Sequence, residues 1–184
     1  MNTRILALCG SLRRDSRNQQ VLNAAINIAP SLAATITQGT FSDFPLYNQD
    51  VQDHGMPAPV TTLAQSIADA DAVLIVSPEY NYSVPGVLKN AIDWLSRVSP
   101  QPFAGKATAI MGASPGAIGT ARMQYHLRQT LVFLDARPLN KPEVMIGSFS
   151  DKFEEGKLTD AKALEMVERQ LVSLIAWSKQ LHAK

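Results

Sequence analysis

Cysteine is nearly absent from this sequence: of 184 residues only Cys9 carries a thiol. No disulfide and no multi-cysteine zinc site can form within the chain, a usage that suits a reducing compartment. An excess of one charge is missing too. Lys and Arg number 17 against 16 Asp and Glu, a net charge of +1. No broad nucleic-acid surface and no acidic tail is therefore expected. No apolar run approaches the ~20 residues a membrane span needs, so no membrane partner is expected either. His54, His126 and His182 share no metal-ligand spacing, which leaves them packing or surface roles and predicts no metal. Met1-Asn2-Thr3-Arg4 runs straight into a strand pattern without a signal-peptide layout, so the cytoplasm is the expected compartment. Two nucleotide fingerprints are also missing: the chain has no G-x-x-x-x-G-K-[ST], and no G-x-G-x-x-G follows the first strand.

What remains is alternation. Apolar runs at Ile5–Cys9, Ala33–Thr37, Ala72–Ser77, Lys106–Met111 and Leu139–Ile146 read as strands. Between and after them, periodic segments read as helices: Ser16 to Pro30, Val60–Ala70, Pro85–Val98, Thr120–Leu134 and Thr159–His182, the last capped by Thr159. Gly39–Pro59 holds Pro45, Gly55, Pro57 and Pro59 and reads as a long surface loop. Strands separated by helices imply a mostly parallel sheet covered on both faces. The expected fold is α/β: a flavodoxin-like three-layer sandwich with five parallel strands in the order 2-1-3-4-5, one domain over residues 1–184.

In that topology the loops after strands one, three and four share one edge of the sheet, where open α/β sheets bind ligands. The first reads Gly10-Ser11-Leu12-Arg13-Arg14-Asp15-Ser16-Arg17-Asn18. Hydroxyls, an amide and a guanidinium precede a helix N-terminus, a setting for a phosphate ester. The plainer alternative is a Ser16 helix cap beside solvated arginines. The second, Pro78-Glu79-Tyr80-Asn81-Tyr82-Ser83-Val84-Pro85-Gly86, mixes aromatic, proline and amide groups suited to a flat, partly polar ring. The third holds Gly112, Ser114, Gly116 and Gly119; either its backbone approaches a flat ligand or it is only a turn and a helix start.

Together, Gly10-Ser11-Leu12-Arg13-x-x-Ser16-x-Asn18 and the run from Pro78 through Gly86 to Leu88-Lys89-Asn90-Ala91-Ile92-Asp93-Trp94 resemble the NADPH-dependent FMN reductase family. Its flavodoxin-like members include quinone, chromate and azo-dye reductases. The resemblance implies that Ser11, Arg13, Ser16 and Asn18 bind the FMN phosphate. It implies that Pro78, Glu79, Tyr80, Asn81 and Tyr82 line the ring with Ser83 close by, and that Ser114 and Gly116 close its other side. Backbone N–H groups of Glu79–Asn81 would bond the ring edge. FMN would take a hydride at N5 from NADPH or NADH and pass two electrons to a small-molecule acceptor, a quinone or similar compound, in ping-pong fashion. No side chain is assigned as catalytic. Two other readings stand beside this one: a flavin reductase supplying reduced FMN to a monooxygenase, and a flavodoxin-like electron carrier. The chain lacks the T-x-T-G-x-T pattern and the acidic balance of classical flavodoxins.

Relatives in that family imply a homodimer or homotetramer. Arg122, Tyr125 and Gln129 share one helix face, either solvated or an interface that reaches Glu143; the Phe41–Pro59 loop is a second candidate for such contact. Cys9 reads as a buried structural thiol, Trp94 as core or interface, and Glu79 as acting through its backbone rather than by proton transfer.

Overall fold

The central strands are apolar on both faces, and the architecture follows from covering them. The structure, a computed structural model, describes residues 2–183. In chain order its main elements are β1 (Thr3–Cys9), α1 (Arg17–Ile28), β2 (Ala34–Gly39), α2 (Gln49–Asp53), α3 (Ala58–Asp69), β3 (Ala72–Val76), α4 (Gly86–Leu95), β4 (Ala107–Ala113), α5 (Ala121–Phe133), β5 (Arg137–Pro138), β6 (Val144–Ile146), β7 (Phe153–Glu154), β8 (Lys157–Leu158) and α6 (Ala161–His182).

Every residue of β3 and β4 is buried, as parallel strands sandwiched between helices must be. The sheet runs β2-β1-β3-β4-β5, parallel throughout, which is the expected flavodoxin-like order. On one face α1 and α6 pack Val21, Leu22, Leu171 and Leu174 against Ile5, Ala7, Leu74 and Val76. On the other, α3, α4 and α5 pack Leu63, Leu88 and Leu127 against Leu6, Leu8, Val73 and Ile75. Neighbouring residues of one strand thus serve opposite cores, the period-two rule of a pleated strand. Each buried Val, Leu or Ile among these contributes about 1.5–3 kcal/mol relative to exposure.

Four expectations change. The strand expected over Leu139–Ile146 is broken: β5 pairs with the start of β4 and β6 with its end. Pro138 and Pro142 have no N–H to donate, so the chain leaves the ladder between them. The long loop before Pro59 contains α2, because the Asn48 side chain accepts from the Asp50 N–H at 2.9 Å and starts a helix there. Pro85 stands at the N-cap of α4 rather than inside its first turn. Asp160, not Thr159, caps α6, accepting from the Ala163 N–H at 2.8 Å. Trp94 is core: it is fully buried and its Nε1 donates to the Pro45 carbonyl at 2.8 Å, which pins the segment before α2 to α4.

Candidate functional site

Three strands end side by side, and their ladders run one residue further into the loops. Gly10 N–H donates to Val76 at 2.8 Å, Ser77 to Met111 at 3.0 Å and Ser114 to Ile146 at 3.0 Å. Ser77, fully buried, wedges between the outer two. A Cβ on Gly10 would stand 2.2 Å from Ser77 Oγ, and one on Gly112 2.3 Å from the Ser77 carbonyl oxygen. Both glycines are therefore required by the protein itself, before any ligand is considered.

Above this floor lies a cleft of about 200 Å3, lined by the first loop and the start of α1, by Pro78, Glu79 and Tyr80, and by Ala113–Pro115, with Phe149 completing the wall. Ser16 caps α1, its Oγ accepting from the Gln19 N–H at 3.3 Å, and the first turn holds no acidic residue. No side chain of the first turn thus offsets the positive end of the helix. Ser11 Oγ accepts from the Arg13 N–H at 3.3 Å, which shapes the loop. Arg13 is exposed and has no carboxylate partner among the described residues.

Asn18 is buried and reaches the end of β4 instead. Its amide donates to the Ala113 carbonyl at 3.0 Å and accepts from the Ala113 N–H at 2.8 Å. That leaves one N–H for any ligand. Asn18 is first a clamp between loops one and three.

The second loop is a tight hairpin. Tyr80 and Ser83 exchange N–H···O bonds of 3.1 and 3.0 Å, with Asn81 and Tyr82 at φ 49° and 65°, the pattern of a type I′ turn. Asparagine tolerates this region; tyrosine there is strained by about 1–2 kcal/mol. Pro78, Glu79 and Tyr80 line the cleft, whereas Asn81, Tyr82 and Ser83 form the tip outside it. Because the Tyr80 N–H is held by Ser83, only those of Glu79 and Asn81 remain to meet a ring edge.

Helix α5 fastens the hairpin. The Glu79 carboxylate accepts from the Met123 N–H at 3.0 Å and from Arg122 Nη1 at 3.3 Å, and its side chain is only 9% exposed. It caps α5 from a distant segment, so its side chain, not only its backbone, has a role. The Arg122 guanidinium stacks on the Tyr82 ring at 4.0 Å, and His126 Nδ1 lies 3.0 Å from Ser83 Oγ. Tyr125 does meet Glu143, donating at 3.1 Å within the same chain. Partial burial raises the Glu143 carboxyl, but bonds from Lys141 and Tyr125 bring it net below the usual carboxylate range.

In the third loop Ser114 and Pro115 face the cleft while Gly116 lies beside it. A Cβ on Gly116 would meet only Ser114 Oγ at 3.7 Å, so the protein's own packing does not demand glycine there. Cys9, beneath the loops, is buried; desolvation pushes its thiol pKa up, against hydrogen bonds from Ser11 and Ser16. It remains a protonated thiol near neutral pH. No cluster among the described residues could hold a metal ion, and no helix is long and apolar enough to cross a membrane.

Of the residues that line the cleft, sequence reasoning missed Arg17, Ala113, Pro115 and Phe149. Arg17 sits within the first motif but was passed over for its neighbours. Phe149 comes from a segment with no clear periodicity, so no local signal points to it. The donor set fits FMN: a guanidinium without a carboxylate partner among the described residues, two hydroxyls and a helix N-terminus whose first turn holds no acid suit a phosphate ester at one end, and the buried Pro78 beside Tyr80 suits a flat ring.

A family model described as NADPH-dependent FMN reductase matches residues 3–151. The chain is 52% identical over 179 residues to an NAD(P)H-dependent FMN reductase of Pseudomonas aeruginosa, covering 97% of this chain and 96% of that protein. It is 49% identical over 172 residues to a quinone reductase of Escherichia coli, covering 92% of each. Among solved structures, the flavoenzyme NAD(P)H:(acceptor) oxidoreductase FerB of Paracoccus denitrificans superposes with a TM-score of 0.87 at 32% identity, over 97% of this chain and 98% of that one.

Proposed function

The chain belongs to the NADPH-dependent FMN reductase family, and from that membership we propose that it is a cytoplasmic FMN oxidoreductase that uses NADPH or NADH to reduce quinones by two electrons. The observation that carries the reading is the two-part lining of one cleft. Its cationic, hydroxyl-rich end at α1 adjoins a proline and tyrosine wall from the second loop. When bound there, FMN supplies the hydride chemistry.

The chain's own residues bind and orient. Ser11, Arg13 and Ser16 hold the phosphate, with the first turn of α1 behind them. Pro78, Glu79, Tyr80 and Ser114 fix the ring plane, and the N–H groups of Glu79 and Asn81 face its polar edge. Asn81, Tyr82 and Ser83 shape the approach from outside, and Gly116 leaves backbone room. The exposed Tyr80 borders the open side, where nicotinamide and acceptor take turns; this is the basis of ping-pong kinetics. No acid–base side chain is assigned, and water protonates the reduced acceptor. Chromate and azo compounds are further acceptors of the same open side. The exposed apolar residues of α5, among them Tyr125, Val132 and Phe133, support a homodimer or homotetramer.

Anaerobic stopped-flow mixing of FMN-loaded protein with NADPH, and separately with NADH, tests this reading. Bleaching of the oxidised flavin band within seconds, followed by rapid reoxidation on adding benzoquinone, is expected. Bleaching only over many minutes with both donors would instead favour a carrier reduced by another protein.

A further inference from the structure

The geometry points to Phe149 as a fourth, unassigned part of the FMN-binding wall, with the arm that carries it setting how fast FMN leaves. This rests on the FMN reading of the cleft. The arm runs from Ser148 to Asp160 and is built at both ends. Ser148 N–H donates to the Gly116 carbonyl at 3.2 Å, which ties the arm to the third loop. Thr159 N–H donates to the Lys152 carbonyl at 3.0 Å, which closes it ahead of α6. Between them β7 and β8 pair antiparallel around Glu155 and Gly156.

The arm has three large apolar side chains placed for different ends. Phe153 and Leu158 are 7% and 6% exposed and join the core beneath α1 and α6, and Phe149 packs against the edge of that core. Phe149 is only half-buried and lines the cleft. It is held there by a stack. Its ring meets Phe153 edge-on, centroids 5.8 Å apart at 83°, and the Arg17 guanidinium lies 5.1 Å from the Phe153 centroid. Arg17 Nη1 also donates to Gln20 Oε1 at 2.8 Å. Arg17 opens α1, the helix that offers its N-terminus to the phosphate.

A line of contacts thus joins the phosphate end of the cleft to an aromatic ring standing at its side. Ser148 at φ 46° and ψ 54° is a left-handed non-glycine residue immediately before Phe149, a backbone state kept only where surroundings impose it. Apolar surface beside the cationic, hydroxyl-rich end of the cleft has a use once a ligand with an apolar body lies against it. Phe149 covers the flank of bound FMN between the phosphate cradle and the third loop, and the cofactor cannot leave without losing that contact. The arm therefore favours an enzyme that keeps its flavin over one that hands reduced FMN to a partner.

The test is the FMN dissociation rate, read as the rise in flavin fluorescence after large dilution of the loaded protein. Phe149→Ala is expected to release FMN about tenfold faster, and Phe149→Tyr at close to the parent rate. Release from Phe149→Ala within about twofold of the parent would overturn the inference. Thermal melting of the apoproteins reports whether the variants fold. If Phe149→Ala does not, Phe149→Leu replaces it, with about threefold faster release in support and parent-like release against. A parent apoprotein that takes up no FMN strikes the FMN reading itself. A parent that binds FMN beside a variant that releases it unchanged strikes only the role of Phe149.

Discussion

The two ends of the sheet are made from the same strands and treat polar groups in opposite ways. At the amino end, polar groups are paired off with one another. Arg4 Nη2 and N–H both donate to Asp71, at 3.1 and 2.8 Å. Lys106 Nζ closes the carbonyls of Ala68 and Ala70 at the end of α3, at 3.0 and 2.6 Å. Ser178 Oγ on α6 donates to the Asp71 carbonyl at 2.9 Å. At the carboxyl end Arg13 has no partner carboxylate among the described residues, and the first turn of α1 holds no acidic side chain. One end spends its donors on the fold; the other keeps them for something outside it.

If that division is right, substitutions at the two ends separate binding from stability. Arg13→Ala should have the largest effect, raising the FMN dissociation constant about 10- to 100-fold by loss of a charge-assisted bond. Fluorescence quenching titration would measure it, and apoprotein melting should hardly move. Glu79→Ala crosses the division, because this carboxylate serves the fold at the ligand end. Unpairing the Met123 N–H and Arg122 should lower apoprotein stability by about 1–2 kcal/mol in urea unfolding, and FMN affinity should fall with it. An affinity loss with unchanged stability would mean that Glu79 acts on the ligand alone.

Ala33→Gly tests strain at the closed end. Ala33 ends the short turn after α1 at φ 52° and is exposed. Glycine there should add about 1 kcal/mol of stability with FMN affinity unchanged. Asp71→Asn should be the smallest, since its pair with Arg4 is well exposed to solvent. Burial raises the Asp71 carboxyl, but the Arg4 bonds outweigh it and leave its folded pKa lowered. The contribution is therefore present above the unfolded pKa of about 4 and is lost as pH falls through the folded value. Parent and variant melting curves should differ slightly at pH 7 and merge in acid.

How far the sequence discloses this division depends on the range of each interaction. The layered α/β order was legible because buried strands and amphipathic helices write their periods into adjacent residues, as Ala72–Val76 and Leu171–Ile175 do. The first two loops were legible because their chemistry is packed into a few consecutive residues. What escaped is set by distant partners. Glu79 meets Arg122 43 residues on, Asn18 is drawn to Ala113, and Phe149 is delivered by an arm whose spacing resembles neither helix nor strand. The broken last strand escaped for another reason: Leu139–Ile146 is apolar enough to read as continuous, and only the docked sheet shows that prolines expel its middle.

The Asn18–Ala113 clamp also has a meaning for biosynthesis. Its two halves are 95 residues apart, so the wall opposite the phosphate end does not exist until the fourth strand has left the ribosome and docked. An unfinished chain offers no shaped cleft, and cofactor loading becomes a late event that reports completion of the sheet. Stalled nascent chains ending before Ala113 should capture no FMN, whereas released full-length chains should.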